Sequence, residues 1–66
     1  MSVARITEIS SSSKKSFEDA VEQGVKRASE TLDGITGAWV TDHNVIVKKN
    51  EIAEYRVRMK ITFVLK

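Results

Sequence analysis

The longest regular pattern in the chain is an alternation over residues 52–65. Ala53, Tyr55, Val57, Met59, Ile61, Phe63 and Leu65 share one parity, and Glu54, Arg56, Arg58, Lys60 and Thr62 the other. A period of two over that length predicts a half-buried strand with its apolar set turned inward. A different period runs upstream, where Phe17, Ala20, Val21, Val25, Ala28 and Leu32 recur at steps of three and four. That spacing gathers them on one face of a helix, with Glu18, Glu22, Lys26, Arg27 and Glu30 mostly opposite and Glu22–Lys26 as a supporting i,i+4 pair. Ser16 reads as the N-cap, Asp19 completes an approximate capping box, and Gly34 reads as the C′ stop. Gly24 lies on or near the apolar face, where the missing side chain admits a close approach by another backbone.

Weaker patterns fill the remainder. Residues 3–9 are rich in β-branched side chains and predict a first strand. Ser10 to Ser13, followed by Lys14 and Lys15, read as a polar loop. Residues 38–47 predict a second strand, and Lys48-Lys49-Asn50-Glu51 a turn in which Asn50 takes positive φ. The order is β-α-β-β. The expected fold class is α+β, a single domain over residues 1–66 with a three-stranded antiparallel sheet wrapped on one helix.

Length changes what this fold needs. With 66 residues, one hydrophobic core is marginal, and small domains are usually stapled by disulfides, a metal or association. Cysteine is absent and His43 is the sole histidine, which excludes a disulfide framework, a thiolate site and a His-based zinc site within one chain. Association with copies of itself is the remaining staple. The lack of cysteine fits a reducing cytoplasm. Met1-Ser2-Val3-Ala4-Arg5 lacks the apolar core of a secretory signal, and no apolar run has the length of a bilayer, so a soluble, cytoplasmic protein without membrane partners is expected.

The formal net charge is +2, unevenly spread. Residues 1–33 carry five basic and six acidic side chains, whereas residues 34–66 carry six basic and three acidic, so the second half leans towards anionic partners or presents a solvated basic face. Nucleic acid is a poor match. Arg56, Arg58 and Lys60 share a strand face, but Tyr55 and Phe63, the side chains able to stack on bases, have the opposite parity. Catalysis is no better supported. His43 reads as an exposed strand histidine among Thr41, Asp42 and Asn44, and Gly34 and Gly37 make no phosphate loop. Glu18 and Asp19 serve the helix N-terminus. The expectation is a binding protein and not an enzyme.

Trp39, the one tryptophan, has two readings. Ala38 and Val40 are taken to face the helix, sending Trp39 to the other side with Thr41 and His43. There it either fills a contact between subunits or offers a stacking surface for a flat, electron-poor ligand.

The order and spacing of several segments resemble the dodecins, small flavin-binding proteins that form hollow homododecamers. The likeness covers essentially the whole chain. It rests on Val3-Ala4-Arg5-Ile6-Thr7-Glu8-Ile9, the Ser-Phe-Glu-Asp-Ala-Val helix start, Arg27-Ala28-Ser29-Glu30-Thr31-Leu32, and Glu54-Tyr55-Arg56-Val57 leading to Lys60-Ile61-Thr62-Phe63. The resemblance implies a β-α-β-β subunit in a twelve-membered shell that stores or sequesters riboflavin or FMN without turnover. It also brings coenzyme A and, in some relatives, calcium as ligands. In flavin-binding members a Trp at the start of the second strand stacks on the isoalloxazine, and a Gln in the third strand bonds its pyrimidine edge. Here the Trp position aligns with Gly37, and Trp39 comes two residues later, on the same strand face but displaced by roughly 6–7 Å. The Gln position holds Arg56, a donor to a flavin carbonyl or phosphate that cannot accept the imide proton. Asp42 matches a polar position near the family's ligand side chain. The expected ligand set is therefore Trp39 as stacking surface, Arg56 as polar or anionic clamp, Asp42 towards a hydroxyl chain or a cation, and Gly37 at the vacated Trp position. The alternative is a dodecin-like shell without a flavin site that takes a cation such as calcium, or coenzyme A.

Overall fold

The computed structural model describes residues 3–65, so Met1, Ser2 and Lys66, which the 1–66 domain and the reading of the N-terminus include, lie outside the described residues. Strand β1 (Val3–Ser13), helix α1 (Phe17–Ser29), strand β2 (Ile35–Lys48) and strand β3 (Glu51–Leu65) follow in chain order. They form one antiparallel sheet in the order β1-β3-β2. The expected β-α-β-β, α+β architecture is the one observed. The strand with the longest alternation takes the middle place, where both of its edges are paired.

The alternation in β3 does what its period requires. Val57, Met59 and Ile61 are buried under α1, and Arg56, Arg58 and Lys60 are exposed on the far side. Ala20 and Ala28 complete the buried set, with Ile9, Phe17, Val21, Val25, Leu32 and Ile35 packed around it. Gly24 is buried as well: a Cβ there would lie 2.5 Å from Met59 Cε and 3.0 Å from Ser11 Cβ. The close approach expected at Gly24 is thus made by side chains of β3 and β1.

The N-cap is as read, since the Asp19 amide donates to Ser16 Oγ at 3.0 Å. The Asp19 carboxylate, however, accepts from Ser13 Oγ, which in turn accepts from the Lys15 amide at 2.9 Å. Ser10 to Ser13 are not a loop. They continue β1 opposite Arg58, Val57, Arg56 and Tyr55. The unpaired edge of a long central strand demands backbone partners, and that demand outweighs the weak β-propensity of serine.

The helix ends at Ser29, capped at Glu30, and a tighter turn carries Thr31 and Leu32 onto the Ala28 carbonyl. Gly34 is therefore not the C′ residue. It has φ +75° at the entry to β2, and its carbonyl accepts from the Val64 amide at 3.0 Å. At the β2–β3 turn both Lys49 (φ 53°) and Asn50 (φ 63°) are left-handed, as a two-residue type I′ hairpin requires.

Register shifts interrupt β2 between Ile35 and Gly37 and between Val40 and Asp42. The second makes Thr41 an extra residue, its hydroxyl donating to the Arg58 carbonyl at 3.2 Å. The side-chain parity inverts across it. Ala38 and Val40 pair with the core residues Ile61 and Met59, as expected, and Trp39 pairs with Lys60 on the opposite face. His43 does not stay with Trp39. It pairs with Val57, and its ring stands edge-on to Phe17 at 4.8 Å, next to the Phe17–Tyr55 contact at 5.1 Å.

The fold is much longer than it is thick, 51 × 19 × 14 Å. Fifteen strand residues extend about 50 Å, whereas thirteen helical residues extend about 20 Å. One helix cannot cover such a sheet. Val3, Ile6, Val47, Ile52 and Leu65 stay exposed, and Val47 and Ile52 are a cross-strand pair beyond the reach of α1.

Candidate ligand-binding site

The sheet face turned away from the helix collects the polar chemistry of the chain. Its residues fall in cross-strand rows: Gly37 with Thr62, Trp39 with Lys60 and Glu8, Asp42 with Arg58 and Ser10, then Asn44 with Arg56 and Ser12. Parity along β2 would separate Trp39 from Asp42 and Asn44, and only the extra residue at Thr41 puts all three on one side. The same bulge excludes His43 from it.

Ser10, Asp42, Asn44, Arg56, Val57 and Arg58 line a hollow of about 130 Å³ on this face. Asp42 and Arg56 thus line the same hollow. Trp39 stands one row beyond Asp42, with 71% of its surface exposed. Among the described residues a Cβ at Gly37 would meet no atom within 4 Å, so none of them replaces the side chain missing there. Trp39 and Arg56 lie two rows apart, about 13 Å along β3.

The charges on the face are not spent on one another. Among the described residues the ion pair is Arg27–Glu30 on the helix, at 2.8 Å, and none involves Arg56, Arg58 or Lys60. Nor is a cluster of three or more His, Cys, Asp or Glu found among the described residues that could hold a metal ion. A hard cation such as calcium takes six to eight oxygen ligands, and no carboxylate cluster among the described residues supplies them. Among the described residues no helix is long and apolar enough to cross a membrane. What the face offers is an exposed indole, guanidinium and hydroxyl donors, a carboxamide and a carboxylate. That set suits a flat polar ligand bound without covalent chemistry.

Two lining residues escaped the reading of the sequence. Ser10 was assigned to a loop, and Asn44 was regarded only as a neighbour of His43. The bulge that brings Asn44 to this face has no signature in the hydrophobic pattern, because Thr41, Asp42, His43 and Asn44 are all polar or titratable.

Comparisons with known proteins identify the family. The dodecin family model matches residues 3–66. The calcium dodecin of Mycobacterium tuberculosis is 30% identical over 63 residues, covering 96% of this chain and 89% of that protein. Its crystal structure, described as a calcium-chelating immunodominant antigen with a novel calcium-binding site, superposes with a TM-score of 0.85 at 28% identity, covering 97% of this chain and 91% of that one. A dodecin from Streptomyces davaonensis superposes with a TM-score of 0.95 at 29% identity, covering 98% of this chain and 96% of that one. With the family model matched over residues 3–66 and the fold superposing on solved dodecins, the chain belongs to the dodecin family.

Proposed function

We propose that this chain is a non-catalytic flavin-binding protein of the cytoplasm, which assembles with copies of itself and stores or sequesters riboflavin or FMN where copies meet. The observation that carries this reading is Trp39, exposed over 71% of its surface on a sheet face whose cationic side chains form no ion pair among the described residues. A large aromatic side chain left in water is a ready partner for the face of a flavin ring. Arg56 donates to a ring carbonyl or a phosphate, and Asp42 accepts from the hydroxyl chain. The open space at Gly37 leaves Trp39 as the stacking surface on β2.

The shape of the subunit supports self-association. Its accessible surface is 5192 Å², against about 4,200 Å² for a compact monomer of 7.4 kDa. Its radius of gyration is 13.5 Å, where about 11 Å is usual at this length. The ligand site points the same way. With Trp39 and Arg56 about 13 Å apart along one strand, facing copies allow the indole of one subunit to lie over the hollow of another. The expected count of twelve comes from the family resemblance.

Calcium is the second reading, favoured by the name of the Mycobacterium relative. The absence of a carboxylate cluster among the described residues means that several copies would have to contribute ligands. Titration of riboflavin and of FMN, followed by flavin fluorescence, decides between the two. Quenching that saturates at a defined stoichiometry and is indifferent to calcium and to a chelator supports the flavin reading. Unchanged flavin fluorescence, together with calorimetric heat from calcium, establishes the other.

A further inference from the structure

In the hollow on the outer face, Asn44 of β2 and Arg56 of β3 are direct cross-strand partners. Side chains so paired start about 4.5–5.5 Å apart and project to the same side. Among the described residues neither the Asn44 carboxamide nor the Arg56 guanidinium hydrogen-bonds to another protein group. Their capacities differ in a useful way. A guanidinium only donates, whereas a carboxamide presents an acceptor and a donor side by side in one plane.

We propose that Asn44 is the residue that recognises the imide edge of the ligand, with Arg56 as its second donor; this rests on the flavin reading above. The pyrimidine edge of a flavin presents a carbonyl, an N–H and a second carbonyl, an acceptor-donor-acceptor row. The Asn44 oxygen accepts from the imide N–H, its amino group donates to one carbonyl, and Arg56 donates to the other. The pair supplies the donor-acceptor-donor complement that neither side chain offers alone. Relative to the pattern expected from the resemblance, the carboxamide has crossed the ladder from β3 to β2, and a cation has taken its former place.

The test compares riboflavin with riboflavin methylated on its imide nitrogen, by fluorescence titration of the assembled protein. The unmodified protein is expected to bind riboflavin about tenfold or more tightly than the methylated analogue, because methylation removes the donor and leaves an acceptor facing a methyl group. Asn44→Leu is expected to bring riboflavin down to the analogue's affinity while changing the analogue little. Adding Arg56→Gln to that variant returns a carboxamide to β3 and is expected to restore the preference. Full preference retained by Asn44→Leu, or no preference in the unmodified protein, overturns the assignment and leaves flavin binding intact. Failure of both flavins to bind the unmodified protein removes the flavin reading and this assignment with it. Asn44 is exposed, and an unchanged sedimentation profile for each variant separates loss of contact from loss of assembly.

Discussion

Single residues in this chain have sharply different expected costs. Trp39 buries little within the subunit, so Trp39→Ala should leave the stability of an isolated subunit nearly unchanged while losing about 1–3 kcal/mol of flavin affinity, a stacking energy of the size found for aromatic platforms. A fluorescence titration beside a urea unfolding curve separates the two effects. Gly34 behaves in the opposite way. At φ +75°, with a Cβ that would come within 3.2 Å of the Val64 carbonyl, Gly34→Ala should cost about 1–2 kcal/mol of stability with no direct effect on the ligand face. Gly24 is tighter still, and Gly24→Val should cost about 1–3 kcal/mol by driving Met59 and Ser11 apart, read as a lowered urea midpoint at fixed protein concentration.

At the scale of elements, the two periodic stretches were legible and the connections between them were not. The parity of β3 and the apolar stripe of α1 give the core directly, because both patterns are consequences of which face meets water. Ser10 to Ser13 misled, since their local preference is for turns, and their place in β1 is set by the length of the strand beside them. Gly34 carried the correct signal, positive φ, for a different junction. The ligand face was half legible: Trp39, Asp42 and Arg56 share it, but the means by which Asp42 and Asn44 reach it is the extra residue at Thr41, which only the register reveals. The β2–β3 turn gives a prediction at this scale. Both of its central residues are left-handed, so Lys49→Asn combined with Asn50→Gly should raise stability by roughly 1 kcal/mol, measured as a higher urea midpoint at constant protein concentration.

For the whole molecule, the governing fact is the mismatch between a sheet about 50 Å long and one short helix. In the proposed assembly the surplus strand and its exposed Val47, Ile52 and Leu65 would be covered where copies pack together, and the ligand site would be completed in the same act. On the flavin reading, addition of a chelator should change neither the size of the assembly nor its affinity for flavin. Sedimentation velocity of the protein mixed with riboflavin, recorded at the visible absorption band of the flavin, bears on assembly and binding together. The flavin colour is expected to travel with the protein in one particle of about twelve subunits, many times the 7.4 kDa of a single chain. Colour left behind at the meniscus, above a protein boundary moving as a compact 7.4 kDa monomer, would contradict it.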